Sequence, residues 1–165
     1  MTRLSWEDFF INQTLLVALR SPDPSTKCGA IIVSPDNRVI ASGYNGLPRG
    51  MFHDIDWTDK KLKLSLIAHA ELNALLNCKE SVEGCTMYVN WHPCNECAKA
   101  IIQSGIKKVC YLKSLSSYGS WQDSFDTSAN MLRACGVELV AVEASHYYVP
   151  YVRGGQVYDL NTCVP

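Results

Sequence analysis

The sequence predicts a three-layer α/β fold, in which helices cover both faces of a mixed five-stranded sheet. Two apolar strand patterns, residues 29–33 and 39–44, flank the turn sequence Ser34-Pro35-Asp36-Asn37, which is typical of an antiparallel hairpin. Further strand patterns then alternate with helical patterns, at residues 86–89, 109–112 and 138–143. Because parallel strands need long crossovers and a hairpin needs none, this order predicts a mixed sheet.

The helices are predicted from apolar residues that recur at helical spacing and from the residues that end them. They cover residues 6 to about 20, 68–79, about 93–105 and about 123–134. The Pro- and Ser-rich segment 21–25 ends the first helix, and Gly136 ends the last. Segment 60–66 alternates like a strand but is short and basic, so we expect a loop or a helical turn there.

The length of 165 residues predicts one domain, residues 1–165, and the 47% hydrophobic content is enough for a core. We place that core at about residues 5–143. The tail, residues 144–165, carries four tyrosines around Arg153-Gly154-Gly155. It could form a small hairpin or pack on a neighbouring subunit, and the sequence does not distinguish these two arrangements.

The charge and the cysteine pattern exclude several classes of protein. The net charge is −1 and the chain has no basic run, so it lacks the positive electrostatic field that would hold a nucleic acid polymer. No apolar run reaches the roughly 18 residues of a membrane span, and residues 1–10, with Glu7 and Asp8, lack a signal-peptide pattern. Eight cysteines, two of them in a Cys-x-x-Cys pair, favour a cytoplasmic metalloenzyme over a disulfide scaffold in this ordinary core composition.

Two short motifs, one with His69 and Glu71 and one with Pro93, Cys94 and Cys97, supply the ligands of a metal site. Imidazole and thiolates suit tetrahedral zinc, and three protein ligands leave the fourth position open for water, as in catalytic sites. Cys94 and Cys97 lie one helical turn apart at a helix start, where the dipole and the metal favour thiolates. A structural zinc knuckle or unrelated core residues are the alternatives, but no fourth Cys or His stands at knuckle spacing.

The pattern His-x-Glu followed by Pro-Cys-x-x-Cys is the signature of zinc-dependent nucleobase deaminases. Beyond this pattern, the chain resembles the deoxycytidylate (dCMP) deaminases of the cytidine deaminase superfamily. The matching stretches are residues 23–30, 43–50, 69–74, 84–89, 93–99 and 103–108. The zinc motif marks the superfamily, and the sequence Gly43-Tyr44-Asn45-Gly46 narrows the resemblance to this branch.

The resemblance implies a cytidine-deaminase-like fold and zinc-dependent hydrolysis of dCMP to dUMP and ammonia, a step of pyrimidine nucleotide biosynthesis on the route to thymidylate. It also implies one catalytic Zn²⁺ per chain and a homo-oligomer, often a hexamer, that dCTP activates and dTTP inhibits. Mg²⁺ would accompany each triphosphate. Some relatives hold a second, structural zinc, but Cys28 and His53 are the only nearby candidates here, so we do not expect one.

The sequence and the resemblance together indicate roles for residues around the zinc motifs. Glu71 would carry protons to the base, with a plain helix-start carboxylate as the alternative. The Ala70 backbone N–H would bind the pyrimidine carbonyl, and Asn45 would hold the deoxyribose unless it forms a plain Asn-Gly turn. Tyr118 resembles a tyrosine near the substrate phosphate, and Trp91 would form a wall of the base pocket unless it is a core residue.

Two further loops resemble the segments that the family uses to bind effector nucleotides. The residues of the expected effector site are Lys27, Tyr44, Gly46, Arg49 and Gly50. Lys27 and Arg49 offer the positive donors that a phosphate needs, although a solvated surface charge is the usual role of a single lysine.

Several other functions remain open at the level of sequence. Within the superfamily, the substrate could be another cytosine nucleotide such as dCTP, or a cytosine or adenine in a polynucleotide. Free cytidine or a pyrimidine of the riboflavin pathway is a further alternative, which the sequence 43–46 disfavours. The polynucleotide alternative would need a basic groove with stacking aromatic residues, and it is disfavoured by the net charge of −1 and the lack of basic runs. From another class, the chain could be a zinc-stabilised binding module without catalytic activity.

Overall fold

The computed structural model describes residues 3–51, 55–113 and 119–162. Its central sheet has five strands in the order β2-β1-β3-β4-β5. These strands are β1 (Gly29–Val33), β2 (Val39–Tyr44), β3 (Thr86–Val89), β4 (Lys108–Leu112) and β5 (Glu138–Val142). β1 pairs antiparallel with β2 and with β3, whereas β4 pairs parallel with β3 and with β5. The mixed α/β sheet predicted from the sequence is therefore confirmed.

Five helices and a second hairpin complete the described fold. The helices are α1 (Trp6–Ala18), α2 (Lys60–Leu66), α3 (Ala70–Asn77), α4 (Asn95–Gln103) and α5 (Gln122–Ala134), with a 3₁₀ turn at Gly119–Trp121. The hairpin lies in the tail and consists of β6 (Tyr151–Arg153) and β7 (Gln156–Tyr158). Among the described residues, no helix is both long enough and apolar enough to cross a membrane.

Two apolar clusters hold the layers together, one on each face of the sheet. On one face, side chains of α3, α4 and α5 pack with alternate strand residues such as Ile32 and Met87. On the other face, α1 and the tail pack with the strand residues between them, such as Ile31 and Tyr88. This alternation is the period of two that a sheet covered on both faces requires. The tail thus forms a hairpin that packs on its own chain.

Two local features differ from the sequence expectation or go beyond it. Segment 60–66 is a seven-residue helix, because the Asp59 side chain caps it by accepting a hydrogen bond from the Leu62 N–H. The start of α3 lies tightly against β2, since a Cβ atom on Gly43 would stand 2.2 Å from the Ala74 backbone nitrogen. Only glycine permits this approach, which fixes the helix that follows His69 against the sheet.

Candidate active site

The three predicted metal ligands meet at the N-termini of two neighbouring helices. His69 is the N-cap residue of α3, Cys94 is the N-cap residue of α4, and Cys97 lies in the first turn of α4. The His69 Nδ1 atom is 3.4 Å from the Sγ atom of Cys94 and 3.4 Å from that of Cys97. One ligand atom from each residue lies within 4.8 Å of the other two.

This arrangement fits a zinc ion. Nitrogen and sulfur ligands at about 2.1 and 2.3 Å from a tetrahedral zinc lie roughly 3.5 Å apart, and the His69–cysteine distances match that separation. Among the described residues, these three form the one group of potential ligands that could hold a metal ion. Three ligands leave a tetrahedral ion one open position, which is the arrangement of a catalytic rather than a structural site.

Among the three side chains, Cys94 is the one whose electrostatics in the absence of a metal favour the deprotonated form that a metal ligand needs. Hydrogen bonds from Cys97 and His69 lower the pKa of the Cys94 thiol to about 4. The same hydrogen bond to Cys94 raises the pKa of His69 to about 9, and the pKa of Cys97 is also raised because its thiol donates to Cys94. All three ligands must be deprotonated to bind a metal, so zinc binding would release the protons that His69 and Cys97 hold in this hydrogen-bonded cluster.

Glu71 lies beside the ligands in the first turn of α3 and is 7% exposed. Burial raises the pKa of its carboxyl, although the nearby His69 acts in the opposite direction. A carboxyl whose pKa is raised toward neutral pH can both take up and release a proton, which is the requirement for a proton shuttle. The structure places the Glu71 carboxyl next to the side chains of His69 and Cys97.

A cavity of about 430 Å³ opens in front of these residues. Its walls bring together the site residues His69, Glu71 and Cys94 with three residues predicted to bind substrate, Asn45, Ala70 and Trp91. The volume is in the range of small-molecule sites. Tyr118, which was predicted near the substrate phosphate, lies outside the described residues, as does His53.

Asn45 has a structural task in addition to its predicted contact with substrate. Its Oδ1 atom accepts a hydrogen bond from the Cys28 N–H at 2.7 Å, and its Nδ2 atom donates to the Thr26 carbonyl at 2.9 Å. A primary amide has a second N–H and a second lone pair, so the side chain can hold this loop and still face the cavity. The position is 6% exposed, and therefore Asn45 is not a solvated turn residue.

Asn90 holds the opposite side of the same segment, and the sequence analysis did not single it out. Its Oδ1 atom accepts from the Gly29 N–H at 2.8 Å, and its Nδ2 atom donates to the Lys27 carbonyl at 3.0 Å. The residue is 1% exposed and lines the cavity. Its place immediately after β3 and shortly before Pro93 was the signal available in the sequence, since sites of α/β proteins lie beyond the carboxyl ends of strands.

A buried ion pair, also missed in the sequence, joins α2 to the cavity wall. The Lys63 Nζ atom lies 3.0 Å from the Asp23 carboxylate, and these side chains are only 11% and 3% exposed. Asp23 also accepts hydrogen bonds from the backbone N–H groups of Ser25 and Thr26. The pair thus orients a loop that lines the cavity.

Removing one partner of this pair is expected to be costly. Asp23→Ala should lower the free energy of unfolding by about 3–5 kcal/mol, because the buried Lys63 ammonium would lose its carboxylate. Urea denaturation measures this change. The double variant Asp23→Ala/Lys63→Met should recover part of the loss, since no buried charge remains. Asp36→Ala, which breaks an exposed pair with Arg38, is the control, and an equally large effect there would contradict the prediction.

The residues predicted to bind an effector are tied to neighbouring elements. The Lys27 ammonium donates to the Ser21 carbonyl, and an Arg49 Nη atom donates to the Asn77 Oδ1 atom at 2.7 Å. Gly50 has a positive φ of 85°, and the Tyr44 side chain is 37% exposed. Gly46 forms a two-bond bridge with Ala68, the residue that precedes the ligand His69. This bridge connects the predicted effector loop to the metal site.

The fold and the site together define an α/β protein with a His/Cys/Cys zinc site and an adjacent buried carboxyl. The family model for the cytidine and deoxycytidylate deaminase zinc-binding region matches residues 4–113. The chain belongs to this family, whose zinc-binding domain agrees with the three ligands that the structure brings together.

Curated relatives and solved structures agree with this assignment. The chain is 43% identical over 136 residues to the deoxycytidylate deaminase of Mus musculus, covering 78% of this chain and 74% of the mouse protein. It is 45% identical over 116 residues to the Homo sapiens enzyme, covering 66% and 65% of the two chains. This chain therefore spans about two thirds to three quarters of these relatives' lengths. The dCMP deaminase of cyanophage S-TIM5, solved with dCMP and dUMP, superposes with a TM-score of 0.67 at 26% identity, covering 86% of this chain and 100% of the phage protein.

Proposed function

We propose that this chain hydrolyses dCMP to dUMP and ammonia. The observation that carries the proposal is the meeting of His69, Cys94 and Cys97 beside the buried Glu71, at the wall of a cavity large enough for a nucleotide. The names of the mouse and human relatives and the dCMP and dUMP bound to the phage enzyme support the choice of substrate. Chromatographic detection of dUMP, together with an equal amount of ammonia, tests the proposal.

Each residue of the site has a task in this reaction. A zinc ion bound to His69, Cys94 and Cys97 would lower the pKa of a water molecule from about 16 toward 7. Glu71 takes a proton from the attacking water and delivers it to N3 of the cytosine. Once the water oxygen is bonded to C4, Glu71 takes the remaining proton from that hydroxyl group and passes it to the amino group. The C4–N4 bond then breaks, ammonia leaves, and the base is left as uracil.

Three residues that line the cavity would orient the nucleotide. Ala70 is the first residue of α3, and N–H groups in a first helical turn have no partner within the helix, so this N–H is suited to the pyrimidine carbonyl. Asn45 retains the hydrogen-bonding capacity to hold the deoxyribose. Trp91 forms an aromatic side of the base pocket. Tyr118 remains a proposed contact to the phosphate.

We further propose that the chain works in the cytoplasm as a regulated homo-oligomer, a hexamer by resemblance to its family, and supplies dUMP for thymidylate synthesis. Magnesium complexes of dCTP and dTTP would compete for a site built from Lys27, Tyr44, Gly46, Arg49 and Gly50. The bridge between Gly46 and Ala68 supports this arrangement, because a shift of the effector loop would move the residue next to His69. Asn45, adjacent to Gly46, would respond to the same shift.

Regulation is tested by dCMP saturation curves with and without each triphosphate. Activation by dCTP and inhibition by dTTP should change the apparent affinity for dCMP by about 5- to 150-fold, the usual range of allosteric coupling. Arg49→Ala should reduce both responses, whereas Arg20→Ala, at an exposed position beyond α1, should not. Curves that ignore both nucleotides, or responses that survive unchanged in Arg49→Ala, would show that the effector site is assigned wrongly.

A further inference from the structure

The tail hairpin, which no motif of the sequence explained, is hydrogen-bonded to a loop that lines the cavity. The loop consists of residues 25–27 and forms part of the cavity wall. The Lys27 N–H donates to the Val152 carbonyl at 3.1 Å. In the opposite direction, the Gly155 N–H donates to the Ser25 carbonyl at 2.8 Å. The end of β6 and the turn that follows it are therefore in contact with the candidate active site.

These two bonds complete the backbone pairing of the loop. Its three residues have six backbone N–H and C=O groups, and the four that the hairpin does not pair are bonded to buried side chains. Asp23 accepts from two N–H groups, and Asn45 and Asn90 each donate to a carbonyl. Because backbone polar groups inside a protein need partners, loss of the hairpin would leave one N–H and one C=O of the loop to find new ones.

A turn of two glycines brings the hairpin this close. Gly154 and Gly155 connect the paired residues Arg153 and Gln156, and their φ angles are 58° and 75°. A two-residue hairpin turn needs a positive φ at both positions, which glycine adopts without strain. Gly154 lines the cavity, and its N–H points to the Thr26 Oγ1 atom at 3.5 Å. The turn thus places the end of β6 at the cavity wall.

The same strand contacts the ring of Trp91, which lines the cavity. The guanidinium carbon of Arg153 lies 4.3 Å from the centre of this ring. The Tyr151 ring stacks with it, with ring centres 6.1 Å apart and an angle of 22° between the planes. Tyr151 and Arg153 are two positions apart on β6, so their side chains extend from the same face of the strand toward Trp91.

Trp91 needs contacts of this kind because its backbone belongs to no regular element. Residues 90–93 lie between β3 and α4 and are part of neither. From α5, Phe125 meets the Trp91 ring at an angle of 69°, with ring centres 6.2 Å apart. The hairpin and α5 together set the plane of the Trp91 ring. A nucleobase stacks well only on a ring whose plane is nearly parallel to its own, so this orientation determines how well Trp91 binds a base.

We propose that the tail hairpin is a positioning element of the active site, which holds the Trp91 ring and the loop 25–27 in the arrangement that binds the pyrimidine nucleotide. This inference rests on the proposed function and gives the tail a role in it. Tyr151 and Arg153 act through Trp91. The hairpin therefore affects the binding of substrate and product more than the chemical step, which belongs to the zinc site and Glu71.

Fluorine NMR of protein labelled with 5-fluorotryptophan tests the position of the Trp91 ring without any nucleotide. The chain has four tryptophans, and the resonance of Trp91 is the one absent from Trp91→Phe. It should shift or broaden in Arg153→Gln and stay closer to the wild-type position in Arg153→Lys, which keeps the cation. Val157→Thr, at an exposed position of the same hairpin, is the control and should leave it unchanged. An unchanged Trp91 resonance in Arg153→Gln would overturn the inference.

A double-mutant cycle tests whether Arg153 acts through Trp91. Isothermal titration of the zinc-loaded protein measures the dissociation constant of dUMP. Arg153→Gln should raise this constant about 2- to 30-fold, the range that a cation–π contact supplies. In a Trp91→Leu background the same change should have almost no further effect, because the ring that Arg153 positions is gone. An equal loss in both backgrounds would overturn the inference, since Arg153 would then act independently of Trp91.

Steady-state kinetics with dCMP separate this role from the proposed reaction. Arg153→Gln should raise KM by a similar factor and leave kcat within a few-fold, and a loss confined to kcat would contradict a role in binding. A wild-type protein that shows the expected fluorine spectra and dUMP binding but releases no ammonia from dCMP would contradict the proposed reaction and support the role of the hairpin. Melting temperature and zinc content confirm that each variant is folded and loaded.

Discussion

Glu71→Gln is expected to lose at least about 10²-fold in kcat for dCMP while keeping its zinc and its fold. Glutamine has the size of glutamate but cannot accept or release the proton that must move from water to the base. The three metal ligands are untouched, and the substituted side chain stays in the same buried place at the start of α3. The measurement is steady-state deamination of dCMP at equal zinc content.

The control for this prediction is Glu83→Gln, which neutralises an exposed carboxylate away from the cavity and should retain wild-type activity. The split between kcat and KM is informative, because a group that acts in the transition state should change kcat far more than KM. If Glu71→Gln stays within a few-fold of the wild type, the residue is a helix-start carboxylate favoured by the dipole, and the proton-transfer role is wrong.

Cys94→Ala is expected to abolish stoichiometric zinc binding and to destabilise the protein. Only His69 and Cys97 would remain as ligands. The zinc affinity should therefore fall by more than the roughly 10- to 100-fold that is lost when a residue hydrogen-bonded to a metal ligand is removed. Because a metal bound by the native state stabilises it, the wild type should melt at a lower temperature after chelation. The variant should melt at the same temperature with or without the chelator.

Elemental analysis and thermal denaturation make these measurements, and Cys135→Ala is the matched control. Cys135 is an exposed free cysteine at the end of α5, and its removal should leave one zinc per chain. Full zinc occupancy in Cys94→Ala would refute the assignment of the ligands. A loss of zinc in both variants would indicate a general effect of cysteine removal rather than loss of a ligand.

The features that the sequence predicted well are those whose signal is local. Two apolar runs around a turn sequence predict the hairpin of β1 and β2, and motifs of fixed spacing predict the metal ligands. His69 and Cys94 were expected inside or at the start of helices, and they are the N-cap residues. Both residues have the extended backbone of an N-cap residue, and their side chains meet where the two helices begin.

The features that escaped sequence analysis depend on contacts between distant segments. α2 was expected to be a loop or a helical turn because its sequence is short and basic, yet Lys63 is buried by pairing with Asp23. The cap at Asp59 then fixes the helix start. The sequence left the tail between a small hairpin and a contact with a neighbouring subunit, and the position of the hairpin beside Trp91 and the loop around Lys27 depends on contacts between distant segments. Contacts of this kind cannot be predicted from the spacing of residues within one motif.

The account is tested most directly by ammonia release from the zinc-loaded protein with a panel of substrates: dCMP, dCTP, CMP, deoxycytidine and single-stranded DNA. We predict the highest kcat/KM for dCMP, with one dUMP formed for each ammonia released, and loss of turnover when zinc is removed and its return when zinc is restored. No turnover of dCMP by protein that contains one zinc per chain, or a clear preference for another member of the panel, would contradict the central claim.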